Sequence, residues 1–184
     1  WDGRAGVGDE ALRADWLDAR ELRAELRFGP DGTLRLLQTQ AGRATLAGGV
    51  QLRWDDLRVD TTGPRADVQA RARVEAFAVA PFLARWQPAM GWAGDLQVGA
   101  TIDVRAGERF DADIVIEREG GDLRVNDGTD TPLPLGLTDL RLALNAHDGQ
   151  WLCTQGLAGK TLGAVGGLLG VRARPPALWP AADA

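Results

Sequence analysis

The chain has 184 residues, a formal net charge of −5 and a sequence pI of about 4.9. Lys160 is the one lysine among 21 Lys and Arg. These cations alternate singly with acidic residues, which excludes the clustered positive footprint of a nucleic-acid binder. One cysteine, Cys153, and one histidine, His147, exclude an internal disulfide and the usual zinc ligand set, while 45% hydrophobic content argues against disorder.

In chain order, Asp9–Ala19 is ambiguous. Asp9 can cap a helix with Leu12 and Trp16 on one side, or the segment is an irregular strand. From Glu21 the period is two. Leu22, Ala24, Leu26 and Phe28 alternate with Glu21, Arg23, Glu25 and Arg27, giving one apolar and one charged face. Gly29-Pro30-Asp31-Gly32 is turn chemistry, and Thr33–Gln38 resumes as the second strand of a hairpin. Val68, Ala70, Ala72, Val74 and Ala76 share a face. Ala80–Trp86 reads as a short helix, with Pro81 in its first turn and Phe82 and Trp86 four apart, inside a connection over 78–88. Leu96, Val98, Ala100, Ile102 and Val104 form the next apolar set, then Phe110, Ala112, Ile114 and Ile116, then the short strand Asp122–Val125. Leu140, Leu142 and Leu144 precede a turn at Ala146-His147-Asp148-Gly149 and a return strand from Gln150. Residues 156–184 read as a Gly/Pro-rich strand and tail.

Short turns between such strands predict an all-β antiparallel meander of roughly nine or ten strands, forming one segment over 1–184. A phrase recurs irregularly, at Asp56-Leu57-Arg58-Val59, Asp95-Leu96-Gln97-Val98, Asp122-Leu123-Arg124-Val125 and Asp139-Leu140-Arg141-Leu142. In each, Asp is expected to open the strand and the apolar residues to face inward. The longest nearly apolar run, Leu162–Val171, is about half of the roughly 20 residues a membrane-spanning helix needs, and glycine interrupts it. No basic region followed by an apolar stretch marks a signal peptide.

Candidate chemistry fails residue by residue. Gly159-Lys160-Thr161 lacks the upstream glycine of a phosphate-binding loop, because that position is Thr154, and the residues after it make a poor helix. His147 in a turn and Cys153 in the return strand lack an activating arrangement. Asn126-Asp127-Gly128-Thr129-Asp130 lacks the alternating and distal ligands of a calcium loop. Asp111 and Asp113 lie on an outward strand face with no opposed carboxylate. No catalytic residue, metal or cofactor is therefore expected, and the reading is not an enzyme. The apolar face remains. It either closes on itself as a sandwich or barrel core or lines an open trough. The alanines at 70, 72, 76, 100 and 112 leave room for a guest.

Several phrases resemble the TamB family, the inner-membrane-anchored subunits of the translocation and assembly module. They are Asp55-Asp56-Leu57-Arg58-Val59-Asp60-Thr61, Val79-Ala80-Pro81-Phe82-Leu83-Ala84-Arg85, Gly94-Asp95-Leu96-Gln97-Val98-Gly99-Ala100, Arg109-Phe110-Asp111-Ala112-Asp113-Ile114 and Leu135-Gly136-Leu137-Thr138-Asp139-Leu140-Arg141-Leu142. They span roughly Val50 to Gly159, and their order carries more than any one phrase. The resemblance implies a periplasmic, AsmA-like protein, inner-membrane anchored at full length. Its elongated sheet would curve into a U-shaped trough, the β-taco, with one or two short helices. The trough would carry phospholipid acyl chains between inner and outer membranes, supporting outer-membrane biogenesis. The family's partner is the outer-membrane barrel TamA, expected to be met through other regions of the whole protein. The anchor is not in this sequence, so an internal segment is expected.

The expected groove lining is Val68, Val74, Leu96, Val98, Ile102, Val104, Phe110, Ile114, Ile116, Leu140, Leu142 and Leu144. A strand of five or six residues, roughly 17–20 Å, matches the roughly 15 Å acyl depth of one leaflet. The alternative is a scaffold or chaperone whose sheet edges pair with strands of client outer-membrane proteins. A closed sandwich binding carbohydrate ranks third.

Overall fold

The computed structural model describes residues 2–9, 14–126, 131–161 and 163–172, with side chains from residue 23 to residue 171 within those ranges. Fourteen strands are β1 (Asp2–Asp9), β2 (Ala14–Phe28), β3 (Leu34–Thr39), β4 (Gly42–Leu46), β5 (Gln51–Asp60), β6 (Asp67–Ala78), β7 (Ala93–Gly94), β8 (Gln97–Ala106), β9 (Phe110–Gly120), β10 (Leu123–Val125), β11 (Leu133–Pro134), β12 (Leu137–His147), β13 (Gln150–Gly159) and β14 (Gly163–Arg172). One helix, α1, spans Ala80–Trp86. The expected all-β antiparallel fold is what forms.

Local chemistry explains the hairpins. Asp31 accepts the Thr33 N–H at 3.1 Å and the Thr33 hydroxyl at 2.7 Å, closing the β2–β3 turn. The β12–β13 turn is the two-residue Asp148-Gly149, with φ of 49° and 76°. Two positive φ values match the twist of the flanking strands.

The topology is more than a meander. Eleven strands form one sheet in the order β1-β2-β3-β5-β6-β8-β9-β12-β13-β14, with β4 pairing β2 and β5. Its described ends, β1 and β14, do not pair with each other, so it is an open sheet. Strands β7, β10 and β11 form a separate three-stranded sheet. Residues Leu123–Val125, expected as another strand of the meander, leave the large sheet for this small one. The chain detours through it twice, between β6 and β8 and between β9 and β12.

That detour makes the core. Ala80, Leu96, Val98, Leu123 and Leu137 are buried together, with Phe77, Leu83, Trp92, Ile116, Leu140 and Leu157 packed against them. The cluster sits at one end of the strands, between the large sheet and the cap formed by α1 and the small sheet. Gly94-Asp95 and Gly121-Asp122 lock it. The Asp122 carbonyl accepts the N–H groups of Asp95 and Leu96, both at 3.0 Å, and the Asp95 carboxylate accepts the Asp122 N–H at 3.0 Å. A Cβ on Gly121 would lie 2.1 Å from the Asp95 carbonyl oxygen, and Gly121 has φ 72°, so only glycine allows the approach.

Several expectations shift. Asp122 immediately precedes β10 and Asp95 lies two residues before β8, but Asp56 and Asp139 lie within strands. A bulge between Val74 and Phe77 turns Ala76 outward and puts Phe77 opposite Val98. In α1, Leu83 packs on the core and Phe82 meets Phe77 edge-on at 5.4 Å, while Trp86 is 75% exposed. Ala14–Ala19 are strand rather than helix; Leu12, residues 127–130 of the Asx-Gly loop and residues 173–184 of the tail lie outside the described residues.

The Asp122 carboxylate completes the lock. It accepts the N–H groups of Leu123, Gly136 and Leu137, each at 2.9 Å. Partial burial disfavours its charge, but these bonds and nearby Arg118 outweigh that and hold its pKa below the usual carboxylate range. Asp122→Ala is expected to destabilise the fold by about 1–3 kcal/mol, because three donors lose one acceptor. Urea unfolding followed by tryptophan fluorescence measures it.

Candidate functional site

The cross-strand register assembles the apolar residues into rows. One row runs Trp54–Ala72–Ile102–Ile114–Leu144–Cys153–Leu169 across seven strands, β5 to β14. A second contains Val104, Ala112, Ala146 and Trp151, and a third contains Val74, Ala100, Ile116 and Leu142. Val68 stands in line with Ala106 and Phe110 at the uncapped end of the strands. There Phe110 stacks on Trp151, centroids 5.4 Å apart and planes at 27°. Each cross-strand apolar pair contributes roughly 0.2–1 kcal/mol, so the rows hold the sheet together as well as forming a surface.

No second layer of described residues covers these rows beyond the capped end. Ile102, Val104, Ile114, Ile116 and Leu144 are half-buried. Exposure rises toward the last strand: Leu142 is 38% exposed, Leu169 65%.

The expected lining therefore divides. Ile102, Val104, Ile114 and Leu144 lie together mid-face, with Leu142 beside them and Val68 and Phe110 at the uncapped end. Leu96 and Val98, at 1% and 5% exposure, are sealed in the core cluster and line nothing. Leu96 precedes β8 and Val98 keeps the parity of Ala100 and Ile102, but Ala80, Leu123 and Leu137 of the capped end cover both. Val74 is buried, and Ile116 and Leu140 border the cluster. Trp54, Trp151 and Leu169 belong to the same face. The same alternation that marked their neighbours marks them.

The opposite face is polar and satisfies itself. Like charges stand directly opposite at Arg53–Arg73 and Asp103–Asp113, an unfavourable arrangement alone. Ion pairs with other neighbours offset it: Arg53–Glu75 at 2.6 Å, Arg73–Glu119 at 3.2 Å and Arg71–Asp103 at 3.3 Å. Exposed pairs of this kind are worth little singly. Glu119 reaches across β8 because Gly99 has no side chain; a Cβ there would lie 2.7 Å from the Glu119 Oε1.

His147 and Cys153 stand on opposite faces, so the imidazole cannot activate the thiol. Instead the His147 Nδ1 meets Asp111 and its Nε2 meets Asp113, both at 3.1 Å. The Asp113 carboxylate also accepts the Asn145 amide at 2.5 Å. That amide bond first, then His147, lowers the Asp113 pKa against slight burial. The most perturbed carboxylate, Asp60 at about 2, owes its shift to the Thr62 hydroxyl and N–H and to Arg58, which is turn chemistry. Gly159-Lys160-Thr161 is the β13–β14 turn, closely packed as the Lys160 N–H donates to the Gly136 carbonyl at 2.8 Å. Among the described residues no three His, Cys, Asp or Glu form a grouping suited to a metal, and no helix is long and apolar enough to cross a membrane. No protein family, curated protein or solved structure matches the chain.

The two carboxylates raise the His147 pKa above 6.5, Asp111 first and Asp113 second, against a small opposing effect of burial. The imidazolium's contribution to stability is complete below pH 6.5 and is lost as pH rises through the raised folded value. Because all three groups are about half exposed, the effect is small. NMR titration of the single histidine is expected to give a midpoint above 6.5 that falls toward 6.5 in Asp111→Asn.

Proposed function

We propose that the open apolar face shields phospholipid acyl chains, as a segment of a TamB-like, AsmA-like periplasmic bridge between inner and outer membranes. The observation that carries this reading is the set of apolar rows spanning seven strands with cover at one end only. In an ordinary sandwich, a second sheet would lie about 10 Å above such a face. The mid-face rows are less exposed than the β14 rows, which supports a sheet curving around its apolar side.

The energetics favour an apolar guest of no fixed shape. Each acyl CH₂ removed from water gains roughly 0.8 kcal/mol. No directional bond is needed, so a chain can slide from row to row. The resemblance to the TamB family supplies the membrane setting, the anchored full-length protein and the partner TamA.

The purified chain is expected to retain phospholipid in native mass spectrometry. Photoreactive residues at Ile102, Ile114 and Leu144 should crosslink to it, while one at Leu96 stays silent beneath the cap. Ile102→Asp should abolish lipid retention with only modest loss of thermal stability. Delipidated wild-type protein that takes up no lipid from vesicles would overturn the reading.

One observation favours the second reading, a scaffold that pairs with strands of client outer-membrane proteins. Strand β14, the last strand of the described sheet, has ten residues with no charge before Arg172, and Val165, Leu168, Leu169 and Val171 are 51–72% exposed. Edges are ordinarily protected by charge, proline or brevity. Under this reading, Leu168→Lys with Val165→Pro abolishes crosslinking to an added outer-membrane-protein strand peptide, and lipid retention is unchanged. If the peptide shows no crosslink to the wild-type edge, the scaffold reading fails.

A further inference from the structure

Among the described side chains on the apolar face of β6, β8, β9, β12, β13 and β14, Arg118 is the cation and Gln155 the amide. Strand parity puts Arg118 on the face of Ile114 and Ile116, directly opposite Val98. Gln155 stands opposite Leu142 on one side and Gly167 on the other. Both lie in the last two rows toward the capped end, two strand spacings and one row apart, about 12 Å between their Cα atoms. A cation on an apolar face carries a desolvation cost that a neutral side chain would avoid.

The guanidinium is held in place. Arg118 donates to the Gly121 carbonyl through Nε at 3.2 Å and Nη2 at 2.7 Å, which leaves Nη1 uncommitted among the described residues. Its nearest counter-charge, Asp122, is already bonded to three backbone N–H groups. Lys160, exposed on the adjoining β13–β14 turn, adds a second cation at the same end. The Gln155 amide lies over bare Gly167, where a Cβ would come within 2.7 Å of its Nε2. It therefore offers an exposed donor level with Leu142.

We propose that Arg118, assisted by Gln155, binds the anionic head group of an acyl lipid at the capped end of the apolar face, orienting the chain toward Ile114, Leu144 and the uncapped end. This rests on the acyl-chain reading and adds polarity to it. An amphiphile would enter the face one way round. The opposite end presents the Phe110–Trp151 stack, which offers hydrocarbon contact and, among the described side chains, no cation on that face.

The test compares dioleoyl phosphatidylglycerol with neutral diolein, which has the same chains and no phosphate. Native mass spectrometry after vesicle exposure reads both. Arg118→Gln is expected to cut phosphatidylglycerol retention about tenfold, the loss of one charge-assisted hydrogen bond, and to leave diolein unchanged. Gln155→Leu should cut the same preference by less. Arg141→Gln, on the polar face beside Glu117, should change neither. If Arg118→Gln weakens the cap, Arg118→Lys keeps the charge and should keep the preference. Equal retention of phosphatidylglycerol by wild type and by folded Arg118→Gln, or parallel loss of both lipids, would overturn the head-group site alone. Retention of neither lipid by wild type would overturn the acyl-chain reading with it.

Discussion

Row-by-row contact between apolar side chains on neighbouring strands is the interaction on which this structure depends. The pleat sends alternate residues to opposite faces, so strands of alternating sequence make a sheet with two unlike sides. Here the polar side is largely self-satisfied, with ion pairs offsetting like-charge oppositions such as Arg53–Arg73 and Asp103–Asp113. Among the described residues the apolar side is not completed in this way. Its rows lower their exposure by packing edge to edge, and a second described layer lies at one end. Everything proposed about function follows from that missing cover.

The covered end is built from little material. Two Gly-Asp-Leu phrases, at Gly94 and Gly121, cross with their backbones in contact, and each glycine is required by a close approach that a side chain would block. Asp122 then gathers three N–H groups from two strand starts. The arrangement places Leu96, Leu123 and Leu137 under a helix of seven residues and a sheet of three short strands. It also makes the face asymmetric. One end is capped and carries Arg118; the other is open and carries an aromatic stack. A symmetrical meander would have no such direction.

Much of this was legible in the sequence, for a physical reason. Period-two alternation and turn chemistry are local, so the β2–β3, β8–β9 and β12–β13 hairpins, the α1 helix and the membership of the apolar rows could be read directly. What failed was non-local. Leu123–Val125 alternates like any strand, and three residues say nothing about which sheet they join. A bulge shifts parity by one without changing the apolar pattern, which is why Ala76 was expected inward where Phe77 lies; Leu96 was expected on the open face because nothing local announces the cap that covers it. The contact of His147 with Asp111 and Asp113 required the β9–β12 register. Arg118 differs from these: counting by twos from Phe110 already puts it on the apolar face.

The central claim is that the mid-face rows are open to an acyl chain, and the chain's own Cys153 sits in one of them, opposite Leu144 and Leu169. A fluorophore on Cys153 can be mixed with vesicles containing phospholipid doxyl-labelled along the acyl chain. The account predicts strong quenching there, and little at a Thr101→Cys label on the polar face of a Cys153→Ser protein. Equal, weak quenching at both positions would contradict it.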